Sequence, residues 1–266
     1  MSDALALSVR GCEILCGISL VIQTVEFLRL RSVTSPQGVW AFEIQGGDLS
    51  HASPYAQAFF RFMARERIYD AHLIMRLFAA VALIAFGASV PIVLFLFLGT
   101  LLLLTRWRGA FNGGSDFMTI VVLTGLLIGA LGSPIGQHEI AWQAGLIYIA
   151  IHSASSYFLS GGVKLFNADW RSGKALPLFL DGGIYGPLAA DSAFRNPAIA
   201  ILCSWAFILW EVAIPIAFLN PVFMLLYCGI GIVFHFLVFW FFGLNRFFFA
   251  WLATYPALLF AAIHLA

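Results

Sequence analysis

Charged residues are scarce in this chain. Asp, Glu, Lys and Arg make up 10% of its 266 residues, against about 25% in a typical soluble domain. Hydrophobic residues make up 62% of the sequence. These proportions exclude an ordinary soluble domain and indicate an integral membrane protein. The formal net charge is only +1, so the chain has no excess of basic residues with which to bind a nucleic acid.

Cysteine is also rare, and no pair of cysteines has the C-x-x-C spacing of a metal or redox motif. We predict no metal site. All the cysteines lie in apolar stretches, where we expect them to pack as small hydrophobic residues: Cys12, Cys16, Cys203 and Cys228. The N-terminus has no basic stretch and no small-residue cleavage site, and Arg10 and Glu13 interrupt its first apolar run. We therefore predict a retained first helix instead of a signal peptide.

Long apolar runs, by contrast, are abundant. A membrane-spanning helix needs about 20 mostly apolar residues. Eight segments meet this requirement: 8–30, 71–88, 90–106, 116–133, 140–164, 197–219, 221–243 and 245–265. The sequence therefore predicts an all-α, polytopic integral membrane bundle of about eight transmembrane helices, which forms a single domain over residues 1–266.

Two connections between the predicted spans are long. In the first, 31–70, apolar residues recur at i, i+3, i+4 and i+7 from Ala56 to Met63, while Arg61 and Arg65 lie elsewhere. This pattern predicts an amphipathic helix in the headgroup plane, with Ala56, Phe59, Phe60 and Met63 on its apolar face. The second connection, 165–196, is rich in Gly and Pro, and we expect a re-entrant or capping loop.

Nearly all Lys and Arg residues fall on one side of an eight-span topology. They lie in the connections 1–2, 3–4, 5–6 and 7–8: Arg29, Arg31, Arg61, Arg65, Arg67, Arg106, Arg108, Arg171, Lys174, Arg195 and Arg246. The positive-inside rule makes this side cytoplasmic and puts both termini on the other side. We expect a multi-pass protein of a bacterial inner membrane.

Several ionisable residues lie inside predicted spans, where a charge costs at least about 2.5–3.5 kcal/mol near the bilayer centre. They are His152, Lys164, Glu211 and His235. In the fifth span, four polar residues fall within about 60° of one another on a helix and form a polar stripe: Ser153, Tyr157, Ser160 and Lys164.

At the end of the polar stripe, Lys164 is a base when it is neutral and an anchor for an anion when it is protonated. Alternatively, its amine simply extends to the membrane interface. Glu211 can pair with Lys164 or with His235 across the bundle. Asp116 follows a glycine turn, and it can serve only to start the fourth span.

Three stretches resemble the HTTM-domain family, the membrane domain of vitamin K-dependent gamma-glutamyl carboxylase and its bacterial relatives. They are FNGGSDFMTIVV at 111–122, YFLSGGVKLFNADW at 157–170 and FHFLVFWFFGLNRFFFAWLATYPALLF at 234–260. Glu211 lies where the family often has an acidic residue. The resemblance covers roughly residues 110–260, and its turn at 112–115 differs from that of the animal enzyme, which has a histidine there.

In the carboxylase, reduced vitamin K is oxidised to its epoxide, and the strong base so formed deprotonates a glutamate. The resemblance implies that Lys164 deprotonates a hydroquinone, with Glu211 and His235 as polar partners. It implies a quinone-type substrate or cofactor whose tail lies along the apolar flank of the fifth span. We expect the substrate site to be lined by Tyr157, His152, Asn112, Asp116, Asp169 and Trp170.

Two other functions remain open. The chain can be a non-catalytic membrane subunit or assembly factor, whose 27 phenylalanines pack against another membrane protein. It can also be a haem protein, with His152 and His235 as axial ligands. In each case membrane lipids are expected partners.

Overall fold

The computed structural model describes residues 2–107, 113–132 and 134–265. In chain order its α-helices are α1 (Asp3–Arg29), α2 (Arg31–Thr34), α3 (Phe42–Gln45), α4 (Pro54–Met63), α5 (Glu66–Phe86), α6 (Val90–Trp107), α7 (Gly113–Gly132), α8 (His138–Phe166), α9 (Ala168–Arg171), α10 (Ala175–Asp181), α11 (Pro197–Val212), α12 (Ile214–Ala217), α13 (Pro221–Phe242), α14 (Asn245–Leu252) and α15 (Tyr255–Leu265). Short 3-10 helices lie at Gly46–Leu49 and Ala193–Arg195. These described residues contain no β-strand, which confirms the predicted all-α class.

Capping side chains begin several of these helices. Each accepts a hydrogen bond from a backbone N–H of the first turn, a group that has no partner within the helix: Ser2, Ser53, Asn167, Asn196 and Asn220. Proline follows the cap directly in α4, α11 and α13. Its missing N–H costs nothing at this position, so the local sequence determines where these helices start.

By length and composition, seven helical stretches of the described chain can cross a membrane. They are α1, α5, α6, α7, α8, α13 and the pair α14–α15. This establishes a multi-pass integral membrane protein. Their ends differ from the predicted ends by at most five residues, with the largest differences where α1 begins at Asp3 and α5 at Glu66.

The predicted spans 197–219 and 245–265 are each interrupted. In the first, α11 has 16 residues and is about 24 Å long, less than the hydrocarbon thickness of about 30 Å. Pro215 stands just inside α12 and has no N–H to donate to the carbonyl of Glu211. Pro256 stands in the same way just after the break between α14 and α15. Both prolines are visible in the sequence, and each marks the interruption.

Small residues allow the long helices to pack closely. Gly125 and Gly129 of α7 face α8, where a Cβ on Gly129 would lie 2.0 Å from Trp142. Gly17 of α1 faces α5, and Gly161 of α8 faces α11. Helix α8 therefore contacts α7, α11 and α15.

One end of the bundle gathers charged and aromatic side chains from distant parts of the chain. Arg246 at the start of α14 forms an ion pair with Glu26 near the end of α1, with 3.0 Å between Nε and Oε2. The indole of Trp40 donates to the carbonyl of Arg106 at 3.1 Å. Phe27 of α1 stacks on Trp107 of α6, with ring centroids 5.3 Å apart, so the C-terminal ends of α1 and α6 and the N-terminal end of α14 meet at this end.

Helix α4 lies within the segment predicted to form an amphipathic helix, and only part of its apolar face meets the bundle. Ala56, Phe60 and Met63 are half-buried, whereas Phe59 is 54% exposed. Tyr55 and Phe62 are exposed as well. Phe59 therefore belongs to an outward aromatic face of α4 and not to the face that meets the bundle.

Candidate functional site on helix α8

The polar stripe of α8 faces the interior of the bundle. The hydroxyl of Ser153 lies 3.0 Å from that of Thr254. One turn further along, the hydroxyl of Tyr157 lies 2.6 Å from Nε2 of His235 and 3.0 Å from the hydroxyl of Tyr255. Each polar group of the stripe thus has a partner on a helix that is distant in sequence.

At its C-terminal end, the polar stripe forms an ion pair with an acidic residue. The amine of Lys164 donates to both carboxylate oxygens of Glu211, at 2.6 and 2.9 Å, and to the hydroxyl of Ser160 at 2.7 Å. Ser160 in turn donates to Glu211 at 3.2 Å. The side chain of Glu211 is 4% exposed and that of Lys164 is 18% exposed. Of the two pairings that the sequence left open, Glu211 adopts the one with Lys164.

Gly161 makes this ion pair possible. A Cβ at this position would lie 2.8 Å from the Cβ of Glu211 and 2.9 Å from the backbone nitrogen of Val212. Only a glycine therefore lets α11 come this close to α8. The neighbouring Gly162 faces open space, so the two glycines have different roles.

The segment after Lys164 turns sharply at Asn167. The side chain of Asn167 accepts from the backbone nitrogens of Asp169 and Trp170 and so begins α9. The ring of Trp170 lies 5.5 Å from the amine of Lys164, within the range of a cation–π contact. Asp169 is exposed. Of these two residues, which were predicted to line the substrate site, only Trp170 therefore lies against the amine.

Aromatic rings surround the pair formed by Tyr157 and His235. The imidazole stacks on Trp251, with ring centroids 5.1 Å apart, and Tyr157 contacts the rings of Trp210 and Tyr227. Within the described structure three buried polar atoms of this cluster have no hydrogen-bond partner: Nδ1 of His235, the hydroxyl of Tyr227 and Nε1 of Trp251. An unpartnered buried polar group costs about 1–3 kcal/mol.

Both interrupted helices meet α8 at this site. Glu211 lies four residues before Pro215, and Thr254 and Tyr255 directly precede Pro256. Within a membrane, interrupted backbone is tolerated where it is buried in protein or lines a cavity. The site therefore combines side-chain and backbone polar groups in one region of the interior.

Other predicted site residues lie elsewhere. Asp116 is buried in the first turn of α7, where it accepts from Gln23 at 2.8 Å and lies 3.8 Å from Arg246. His152 is exposed, and its ring lies 4.4 Å from that of Tyr148. Of the two histidines of the haem hypothesis, then, His235 is buried and His152 is not. Asn112 falls outside the described residues.

The sequence reasoning missed a buried arginine. Arg76 lies in the middle of α5 and is fully buried. Its guanidinium donates to the side chains of Gln23 and Thr24 on α1 and of Thr100 on α6. The signal was present, because the predicted span 71–88 contained this arginine and a charge inside a span requires an explanation.

No family model, curated protein or solved structure matches this chain. Among residues 2–107, 113–132 and 134–265, no group of three or more His, Cys, Asp or Glu side chains is placed to hold a metal ion. The functional assignment therefore rests on the geometry around α8.

Proposed function

We propose that this protein is an HTTM-like membrane protein that binds a quinone-type lipophilic redox substrate beside α8. In this proposal Lys164 holds the anionic oxygen of the substrate or acts as its base, and Glu211 is its acid–base partner. The single observation that carries the proposal is the buried contact between Lys164 and Glu211, two helical turns from the hydrogen-bonded pair Tyr157 and His235.

The energetics support a functional role for these groups. Ionisable side chains inside membrane proteins are expensive, and those that are kept commonly mark binding sites and proton relays. Here the amine of Lys164 lies on one face of α8 that also contacts an acid and an imidazole from other helices, next to two helices that prolines interrupt. A purely structural pair would need only the contact between Lys164 and Glu211.

The chemistry follows from the charges. An ammonium that bonds both oxygens of a carboxylate is a strong hydrogen-bond donor, and the carboxylate is a proton acceptor. When a hydroquinone hydroxyl approaches, its proton passes to Glu211 and the resulting oxyanion is held by Lys164. Tyr157, with His235 behind it, offers a neutral donor for a second oxygen.

The outer face of α8 suits an isoprenoid-like tail. Phe158, Leu159 and Val163 lie on this face and are 46%, 65% and 71% exposed. They stand within two residues of Ser160 or Lys164 in sequence, on the side that faces away from the bundle. A substrate that partitions into the bilayer can therefore keep its tail in lipid while its ring reaches the polar stripe.

Binding of a quinone tests the proposal. The chain has two lysines, and the exposed Lys174 is a matched control for Lys164. We expect Lys164→Met to weaken binding of a naphthoquinone with a short isoprenoid tail at least about tenfold, the loss expected when one charge-assisted hydrogen bond disappears. Lys174→Met should bind as the native protein does. Binding is measured by quenching of tryptophan fluorescence in nanodiscs, and circular dichroism confirms that the variants fold.

Equal quinone affinity for the Lys164→Met variant and the native protein would contradict the proposal.

A second candidate function is that of a non-catalytic subunit or assembly factor. It is favoured by α13, in which only 28% of the residues of the most apolar stretch are buried, the lowest share among the candidate spans of the described chain. This function predicts a membrane protein that co-purifies in stoichiometric amount and is lost when α13 carries polar substitutions at exposed positions such as Leu226 and Val233.

The charge distribution supports an orientation in which the end of the bundle that holds Arg246 and Arg106 faces the cytoplasm. Single cysteines placed in the connection 31–70, in a variant without native cysteines, should then react with a membrane-impermeant maleimide only after the cells are opened. Reaction in intact cells would reverse the orientation.

A further inference from the structure

Two clefts adjoin each other beneath α4. The first, the apolar slot, is narrow, with a cavity volume of about 30 Å³, and it is lined by Phe42, Leu49, Phe60, Met63, Ala64, Tyr69, Leu102, Thr105 and Arg106. The second, the charged cleft, has a cavity volume of about 370 Å³. Phe42 and Ala64 line both, so the slot and the cleft are continuous.

The position of the apolar slot corresponds to the boundary of the bilayer. Tyr69 lies in the first turn of α5, and Leu102 and Thr105 lie in the last turns of α6. The ends of membrane-spanning helices lie where the hydrocarbon gives way to headgroups. The charged cleft adjoins the slot beyond these helix ends, so we place it at the level of the lipid headgroups.

The charged cleft carries both signs of charge. It is lined by the guanidinium groups of Arg61 and Arg65 and by the carboxylates of Glu43 and Glu66, and all four residues are exposed. In the part of the chain that the structure describes, no ion pair joins any of these side chains to another group. Both pairs of charges are therefore available to a ligand.

We propose that the two clefts bind one zwitterionic phospholipid with a primary ammonium group, of the phosphatidylethanolamine class. The first carbons of one acyl chain lie along the open side of the apolar slot, the arginines hold the phosphate, and the glutamates accept from the ammonium. Arginine suits a phosphate because its planar fork can form two parallel hydrogen bonds. A choline headgroup has no N–H to donate to Glu43 or Glu66, and a glycerol headgroup has no cation.

The outward face of α4 favours a lipid over a protein as the occupant. Tyr55, Phe59 and Phe62 are exposed on this face, and the guanidinium of Arg65 lies 5.4 Å from the ring of Phe62. Aromatic residues beside arginines are typical of helices that lie in the membrane interface. The bilayer that supports α4 is thus the source of the ligand, and this inference does not depend on the quinone proposal.

Native mass spectrometry of the full chain, released from detergent with defined lipids, tests the inference. We expect phosphatidylethanolamine to bind more tightly than phosphatidylcholine or phosphatidylglycerol of the same acyl chains. The double variant R61Q/R65Q should lose about tenfold or more in affinity, because it removes charge-assisted hydrogen bonds. Arg67→Gln is the matched control, because Arg67 is an exposed arginine in the same region and does not line the cleft.

Two further variants separate the parts of the site. E43Q/E66Q should remove the preference for ethanolamine over choline and leave phosphatidylglycerol binding undiminished. Ala64→Phe, which places a ring where the two clefts join, should weaken binding of all three lipids. Glycerophosphoethanolamine, which has no acyl chains, should not compete.

The inference is overturned if R61Q/R65Q binds phosphatidylethanolamine as tightly as R67Q does. It is also overturned if phosphatidylcholine binds as tightly as phosphatidylethanolamine to the native protein, or if the acyl-free headgroup competes fully.

Discussion

The contact between Lys164 and Glu211 allows a quantitative test by a double-mutant cycle. The perturbations are Lys164→Met, Glu211→Met and both together, since methionine is unbranched and adapts to irregular spaces. The two partners are buried to different extents, with 4% of the Glu211 side chain and 18% of the Lys164 side chain exposed. Because of this difference, we expect the two single substitutions to lower the free energy of unfolding by different amounts.

Lys164→Met leaves a buried carboxylate whose remaining described partner is Ser160, at 3.2 Å. Removing one partner of a buried ion pair typically lowers the free energy of unfolding by about 3–5 kcal/mol. Glu211→Met should cost less, about 1–3 kcal/mol, because the flexible Lys164 can extend toward the interface. The double variant should lie within about 1 kcal/mol of the native protein, since replacing both charges with apolar groups is often neutral.

The free energy of unfolding is measured in mixed micelles by SDS titration followed by circular dichroism. Lys174→Met, at an exposed lysine, should change stability by less than about 0.5 kcal/mol. The sum of the single effects should exceed the effect of the double variant by about 3 kcal/mol or more. Additive effects, or a Lys164→Met variant as stable as Lys174→Met, would refute the reasoning that the ion pair is buried and coupled.

Three further predictions concern the packing around these helices. Gly161→Ala should lower the free energy of unfolding by about 1–3 kcal/mol, because its Cβ would overlap α11, whereas Gly162→Ala, which faces open space, should be neutral or slightly stabilising in the same SDS titration. Arg76→Lys should destabilise more than Arg76→Met in that assay, because lysine keeps the buried charge but cannot span the acceptors on α1 and α6; the reverse order would contradict this. Tyr157→Phe should cost about 1–2 kcal/mol and shift the imidazole ¹⁵N resonances of His235, while Tyr148→Phe on the same helix should leave them unchanged.

Much of the fold is encoded locally. An apolar run of suitable length predicts each long helix, and asparagine or serine followed by proline marks the starts of α4, α11 and α13. The inward direction of Ser153, Tyr157, Ser160 and Lys164 follows from their spacing on a helix. These features depend on neighbouring residues in the chain, so the sequence alone is sufficient to predict them.

The pairing of helices in the bundle, in contrast, is not determined by local sequence. The sequence allowed Glu211 to pair with Lys164 or with His235, and only the order of the helices in the bundle decides between them. Gly161 has no side chain to keep a neighbouring helix away, but nothing local identifies α11 as the helix that approaches. Asp116 was placed in a substrate site because its turn resembles a family motif, whereas the packing of α1 against α7 brings it to Gln23.

The breaks at Pro215 and Pro256 were within reach of the sequence. A proline inside an apolar run removes a backbone donor, and hydropathy alone does not register this effect. If each proline within an apolar run is treated as an interruption, the spans 197–219 and 245–265 are both divided, near Glu211 and Tyr255. The same reasoning applied to charge would have singled out Arg76.

The buried polar cluster around Asp116 and Arg76 differs from the cluster on α8 in the role that its charges can serve. Around Asp116 the charges form a continuous chain, in which Gln23 links Arg76 to Asp116 and Arg246 links Asp116 to Glu26. Two cations and two acids balance there and tie α1, α5, α7 and α14 together. On α8 the acid and the amine bond each other, and the adjoining aromatic cluster keeps buried polar atoms without partners. Because Nε of Arg76 also lacks a partner among the described residues, access is what distinguishes the clusters: Arg76 is fully buried, whereas the side chain of Lys164 is 18% exposed. The α8 cluster is therefore the one that the proposed substrate would occupy, and variants in the Arg76 cluster should alter stability and leave quinone affinity unchanged.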